Sequence, residues 1–242
     1  MDPQMESSLY EYSQYSPGDE NAIYLEQKVD DYQGNPLIEA LPPIIENDLD
    51  VVRLLKYYPP YNEEDRNLPQ KIRLHYLSKI RRFFTVLPEH IRLEEALSST
   101  IRQGYIKRNP INPKFVANAT QLREHFSQDV LTPSYLPSAF DSFSFPLFGI
   151  PGIGKTDAID RVSSLYPQKI VHSSYKNFPL NIAQIPILRI DCPHDGSLKT
   201  LGRTILQKVD SILGNTDYFR AYGSKNNSSI INGIGFVTIA HA

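Results

Sequence analysis

Eight consecutive residues constrain this chain more than any other feature: Gly149-Ile150-Pro151-Gly152-Ile153-Gly154-Lys155-Thr156. They fit G-x-x-x-x-G-K-[ST], a loop that binds nucleotide phosphates. Glycines let the main chain curl so that successive N–H groups converge on an anion. A helix opening at the end of the loop adds the positive end of its dipole. Lys155 supplies a point charge for the β- and γ-phosphates, and the Thr156 hydroxyl supplies a ligand for Mg²⁺. The spacing therefore predicts ATP and Mg²⁺ as cofactors. Gly149, Ile150, Pro151, Gly152, Ile153, Gly154, Lys155 and Thr156 form the cradle, and Thr156 is the metal contact. A chain of average composition matches this pattern by chance on the order of 1% of the time. Context tightens the match, because the loop needs a strand before it and a helix after it. Phe143, Phe145, Leu147 and Phe148 supply a β-prone run upstream. Ala158, Ile159, Val162 and Leu165 stand at helical spacing downstream, and Tyr166-Pro167 closes that helix.

Length and composition set the frame around the loop. With 242 residues, 40% of them apolar, the chain holds one or two domains with a real core. No run of 18 apolar residues occurs, so no membrane span is expected. The acidic, Tyr-rich start is unlike a secretory signal. The single cysteine, Cys192, excludes an internal disulfide framework and points to a reducing cytoplasm.

Charge is unevenly distributed. Residues 1–31 carry eight acids and one base, Lys28, while the whole chain has a net charge of −2. The span 71–108 holds nine bases (Lys71, Arg73, Lys79, Arg81, Arg82, Arg92, Arg102, Lys107 and Arg108) against Glu89, Glu94 and Glu95. A basic face of this kind invites nucleic acid; the plainer reading is a set of solvated helix surfaces.

The chain divides into three parts. Residues 1–30 read as a disordered acidic tail. Residues 31–140 read as a basic, mainly helical accessory region, with turn signals at Asn35-Pro36, Pro42-Pro43 and Pro59-Pro60. Helices are expected from Asp48 to Tyr57, from Gln70 to Phe84, from Glu89 to Gln103 with Gly104 as the stop, and near Thr120–Phe126. Leu74, Leu77, Ile80 and Phe84 form an apolar stripe expected to pack into the core. Residues 141–242 read as the nucleotide-binding part. Its strands are expected at Phe143–Phe148, Lys169–His172 and Ile185–Cys192. Ser197 caps a helix carrying Leu198, Leu201, Ile205, Val209 and Ile212. The segment Ser228–Ala242 reads as helical or buried, although Gly233 and Gly235 weaken it as a helix.

ATP hydrolysis by such a loop uses an acid at a strand end to hold Mg²⁺, and a second polar group to position water. No apolar run ends in Asp-Glu. The nearest is Ile187-Leu188-Arg189-Ile190-Asp191, which Arg189 interrupts and Cys192 follows. Asp191 is the candidate metal carboxylate; the alternative is the end of a structural strand. Cys192, His194 and Asp195 suggest a metal site, but no second Cys/His pair stands at zinc spacing. His172 and His241 read as structural or exposed. No catalytic residue is assigned, and ATP hydrolysis by this chain is left open.

Further blocks carry a family likeness. They are Tyr32-Gln33-Gly34-Asn35-Pro36-Leu37-Ile38-Glu39-Ala40-Leu41-Pro42-Pro43, Ile101-Arg102-Gln103-Gly104-Tyr105-Ile106-Lys107-Arg108-Asn109-Pro110, Tyr166-Pro167-Gln168-Lys169-Ile170-Val171-His172 and Ile190-Asp191-Cys192-Pro193-His194-Asp195-Gly196-Ser197-Leu198-Lys199. With these blocks and the loop, over about residues 31–242, the chain resembles TnsC-type (TniB-like) AAA+ ATPases, the regulators of heteromeric bacterial transposons. The resemblance implies an α/β P-loop NTPase (AAA+) core with a mainly helical N-terminal accessory region. It implies ATP binding, assembly on DNA as a homo-oligomer, and partners in a transposase and a target-selector protein, without a membrane. It also makes Lys199 a candidate DNA contact. In that family an Asp-Glu strand follows the helix near Ser229–Ala242, and the present sequence stops there. The expectation is thus an N-terminal fragment whose core is truncated after its second core helix, lacking the metal-binding acids, the sensor, the trans-acting arginine and the lid. Two other readings remain: a non-catalytic nucleotide- or DNA-binding remnant, and an unrelated P-loop kinase.

Overall fold

The computed structural model describes residues 19–127, 143–225 and 227–241. Most of the expected acidic tail and the Pro-rich passage at 128–142 lie outside these residues. The tail was expected to run through residue 30, but from residue 19 the chain belongs to the fold. Asp19–Asn21 is strand β1, Ala22 and Tyr24 pack against the first core, and Gln27 is buried.

The sheet has three strands. β1 runs parallel to β2 (Lys169–Tyr175), which is antiparallel to β3 (Phe178–Gln184). The β2–β3 turn is Lys176-Asn177, with φ of 42° and 72°. Both central residues of a type I′ hairpin turn need positive φ, and asparagine tolerates that region better than most residues. The register shifts between His172 and Ser174, so that Tyr175 faces the core. β3 was not anticipated. The strand expected at Ile185–Cys192 does not form, because the hairpin has already used the open side of β2.

The helices are α1 (Pro36–Glu39), α2 (Asp48–Leu55), α3 (Gln70–Leu77), α4 (Pro88–Ile106), α5 (Pro113–Ser127), α6 (Lys155–Ser163), α7 (Leu198–Leu213) and α8 (Asn227–His241). Asn35 and Asn47 cap α1 and α2 through their side-chain oxygens. α4 runs through Gly104 to Ile106, because Tyr105 is buried in the core and packing overrides the weak glycine position. No helix among the described residues is long and apolar enough to cross a membrane.

The first core joins Tyr32, Leu37, Ile38, Ala40, Leu41, Tyr105, Tyr166 and Ile170. Polar groups, several of them buried, tie the same segments together. Asn35 Nδ2 donates to Tyr105 O at 2.8 Å, and Asn109 Nδ2 donates to Gly34 O at 2.8 Å. Gln184 Nε2 donates to Leu37 O at 2.9 Å, while its Oε1 lies 2.9 Å from His172 Nε2. Tyr24 Oη lies 2.9 Å from His172 Nδ1. Burial lowers the His172 pKa, so the neutral ring donates from Nε2 to Gln184 and accepts the Tyr24 hydroxyl proton. Arg102, 1% exposed, donates to Ser98 O, Ser98 Oγ and Pro42 O and reaches Tyr166 Oη.

Two further cores complete the fold. Val51, Leu55, Leu93, Ala158 and Val162 join α2, α4 and α6. Ile185, Leu206, Val209, Ile212, Ile230 and Val237 join α7 and α8 to the chain just after β3. The expected α7 stripe is displaced: Leu198 is 83% exposed, whereas Gly202 and Leu206 face inward. A Cβ at Gly202 would run into Ile230 Cγ2, so glycine sets the approach of α8. Gly233 likewise makes room for the Tyr222 ring. His241 is structural: its Nδ1 donates to Ala183 O at 2.8 Å, and its Nε2 lies 2.9 Å from Tyr218 Oη.

Glu94 is buried beside Arg102. Burial pushes its carboxyl from 4.5 to about 7, against the opposing pull of Arg102. Between those pH values the folded chain retains a proton that the unfolded chain releases, so stability falls as pH rises through the window. Glu94→Gln is expected to flatten this part of the stability profile. Urea midpoints measured across that pH range check it; an unchanged slope would contradict the assignment.

Candidate phosphate-binding site

The loop takes a glycine-dependent shape. Gly152 and Gly154 have φ of 83° and 91°, where a side chain is strained, and Gly154 is the N-cap of α6. No side chain caps this helix start, so its first amides remain donors for an anion. A Cβ on Gly149 would stand 3.2 Å from Ile153 Cγ2 and 3.5 Å from Lys155 Cδ, so the exposed Ile153 side chain would have to shift slightly to admit one. Lys155 Nζ folds over the loop and donates to Gly149 O at 2.8 Å and to Ile150 O at 3.0 Å. It thus holds its charge beside the helix start through two carbonyls that an anion can replace. Thr156 is exposed on the first turn of α6. Pro151 and Gly152 lie at the exposed bend, with Ile150 and Ile153 71% and 60% exposed.

The segment leading into the loop departs from expectation. Phe143–Phe148 is not a strand, and Phe143, Phe145, Leu147 and Phe148 are all exposed. A β-prone run becomes a strand only when a neighbour satisfies its main-chain groups. The three described strands pair with one another instead. α6 follows the spacing in part: Ala158 and Val162 are buried against α2 and α4, but Ile159 is exposed and the helix ends before Leu165.

The opposite flank of α6 meets the basic segment. Tyr57 and Phe84 form an antiparallel bridge, with N···O distances of 3.0 Å and 2.9 Å, that closes an excursion of the chain over residues 58–83. Arg161 of α6 fixes the root of this arm. Its guanidinium lies 5.6 Å from the Tyr57 ring centre and 5.1 Å from that of Phe84, and it donates to Arg82 O at 3.3 Å. A cleft of about 330 Å³ runs between Arg81–Phe84 and Asp157, Asp160, Arg161 and Ser164. Neither Arg161 nor its aromatic partners carry a signal in the sequence that marks this role.

The arm itself corrects two expectations. The segment 70–84 is not one core-packed helix. It is α3 followed by a 3-10 turn at Ser78–Arg82, and neither has a buried residue. Leu74, Leu77 and Ile80 are 59%, 58% and 65% exposed, and only Phe84 of the expected stripe turns inward. Arg102, counted with the basic face, is a buried structural group. Within the arm the charge is carried by Lys71, Arg73, Lys79, Arg81 and Arg82, while Arg92 and Lys107 are exposed elsewhere in the span.

The segment after β3 adds no metal centre. Arg189 pairs with Asp160, which ties this coil to α6. Asp191 is exposed and not in a strand. Asp195 Oδ1 accepts from Ser197 N at 3.0 Å and its Oδ2 from Thr200 Oγ1 at 2.8 Å, bonds that lower its pKa. It therefore serves the start of α7, with Ser197 as the expected cap. No group of His, Cys, Asp and Glu that can hold a metal ion occurs among the described residues. Lys199 is exposed on the first turn of α7.

Compared with models of known protein families and with curated proteins, the chain matches none.

Gly154→Ala tests the loop geometry without any ligand. A side chain at positive φ costs about 1–2 kcal/mol, and thermal unfolding is expected to shift down accordingly. A variant as stable as the parent would mean that the turn does not require glycine.

Proposed function

We propose that this protein is an ATP-binding regulator of DNA transposition that links target selection to the transposase, acting in the cytoplasm as a TnsC-like AAA+ protein. One observation carries the reading: Lys155 is poised on a glycine-turned loop that opens α6, and the flank of α6 anchors a basic, exposed arm. The polyphosphate of ATP suits the free amides at the start of α6 and the Lys155 ammonium. Mg²⁺, brought with the nucleotide, would be held by Thr156 and would neutralise phosphate charge. Lys71, Arg73, Lys79, Arg81 and Arg82 would contact the DNA backbone. The sequence blocks shared with TnsC-type proteins support the transposition context and the expectation of homo-oligomers with transposase and selector partners. The reading rests on nucleotide binding and leaves ATP hydrolysis open.

The test combines nucleotide and DNA titrations. Lys155→Ala is expected to lose ATP binding, because no other cation of the motif replaces that point charge. Thr156→Ala is expected to weaken Mg²⁺-dependent affinity more than metal-free affinity. Duplex DNA binding is expected to tighten with a non-hydrolysable ATP analogue in the parent chain and not in Lys155→Ala. Neutralising Arg81 and Arg82 lowers the salt slope by about 0.9 per lost phosphate contact. Unaltered ATP affinity in Lys155→Ala overturns the site. DNA binding indifferent to nucleotide favours a non-catalytic remnant, and phosphate transfer to a metabolite favours a kinase.

A further inference from the structure

The arm is an unusual surface. α3 and the 3-10 turn after it present five cations and no acid between Gln70 and Phe84. Between those cations stand Ile72, Leu74, Leu77, Ile80 and Phe83, 44% to 65% exposed. Lys79 Nζ lies 3.8 Å above the Tyr76 ring, so aromatic and cationic groups share one face. A phosphate backbone would neutralise the charges but leave these apolar side chains uncovered. A second copy of the arm would bury them but bring five like charges against five. The matching occupant is both acidic and apolar.

The chain carries such a segment. Residues 1–18 hold Asp2, Glu6 and Glu11 and no Lys or Arg, interleaved with Met5, Leu9, Tyr10, Tyr12 and Tyr15. Three acids stand against the five cations of the arm, and aromatic and aliphatic side chains are interspersed with the charges in both. Residues 1–18 lie outside the described residues and join the fold at β1. Eighteen residues reach up to about 60 Å, whereas a domain of this size has a radius of gyration of about 18 Å. Tethering also gives the segment an effective concentration in roughly the millimolar range.

We propose that the acidic N-terminal segment docks in cis on the basic, apolar arm formed by α3 and Ser78–Arg82 and competes there with polyanions. The contact is intramolecular and weakens with salt, because its charges are at the surface. Displacement of the segment exposes the arm. This holds whether or not the loop binds ATP, and whichever polyanion the arm takes.

Carbodiimide cross-linking of the full chain, mapped by mass spectrometry, tests it. Links from Glu6 or Glu11 to Lys71 or Lys79 are expected in preference to links with Lys56, Lys107, Lys199 or Lys208. Their yield is expected to fall several-fold from about 0.1 M to about 1 M NaCl, as the screening length drops from about 10 Å to about 3 Å. The same fall is expected in Arg81→Glu/Arg82→Glu, which keeps both reactive lysines. Glu6→Gln/Glu11→Gln is expected to bind heparin several-fold more tightly than the parent. Links spread evenly over all lysines, or undiminished by the charge reversal, overturn the proposal. Links found only between isotopically labelled and unlabelled chains overturn docking in cis. Should the cross-links persist while duplex DNA fails to bind, the transposition reading falls and the docking stands.

Discussion

A guanidinium that is 1% exposed persists only where neighbours supply its hydrogen bonds, and around Arg102 they come from three separated stretches of chain. Pro42 contributes a carbonyl from the segment after α1, Ser98 contributes two oxygens from the preceding turn of α4, and Tyr166 contributes a hydroxyl from the turn after α6. The rest of the chain depends on this junction. It sets α4 against the N-terminal segment and fixes the exit of α6, so that α6 leads into β2 at Lys169. The apolar cluster around Ile38, Leu41, Tyr105 and Ile170 surrounds the junction and excludes water from it. Three sequence blocks, 32–43, 101–110 and 166–172, meet here. Their residue choices thus have a structural meaning: Asn35, Arg102 and Tyr166 are donors and acceptors of buried hydrogen bonds.

What was legible in the sequence is what is local. The glycine-turned loop with the helix that it opens, the Ser197 cap, and the course of α2 and of most of α4 follow from spacing and capping over a few residues, and they lie close to where those rules put them. What was not legible depends on partners far along the chain. Phe143–Phe148 has the composition of a strand, but composition cannot supply the neighbour that a strand needs. The Lys176-Asn177 turn lacks the glycine that normally marks a tight hairpin, so β3 went unread and the next apolar run was taken for a strand. Arg102 looks like any surface cation in a basic stretch, and only the carbonyl of Pro42, sixty residues away, makes it a buried one. The α3 stripe shows the converse: helical periodicity marks a sticky face without saying whether this chain covers it.

The same distinction bears on the site. The residues proposed to hold phosphate come from one continuous octapeptide, which is why the motif alone locates them. The arm root requires Tyr57, Phe84 and Arg161 to meet, and those positions have no common pattern. A site assembled from main-chain amides is carried in the backbone conformation, and glycine records that conformation in the sequence. A site assembled from side chains of remote segments leaves no such record.

The geometry of α6 also bears on how the proposed phosphate loop and the basic arm beside it would influence each other. Arg161 lies seven residues beyond Gly154, so at 1.5 Å per residue the loop and the arm root are about 10 Å apart along the helix axis. That is comparable to the screening length of about 8–10 Å at moderate salt. A polyphosphate at the loop would therefore lower the positive potential of the arm, and through space alone one anion weakens the other. Any mutual strengthening has to pass through packing. The contacts available are the Arg161 guanidinium stacked on Tyr57 and Phe84, its bond to Arg82 O, and the Arg189–Asp160 pair on the same helix. The sign of the coupling thus separates the two routes: a field between charges opposes joint binding, and only a shift of α6 against the arm root favours it.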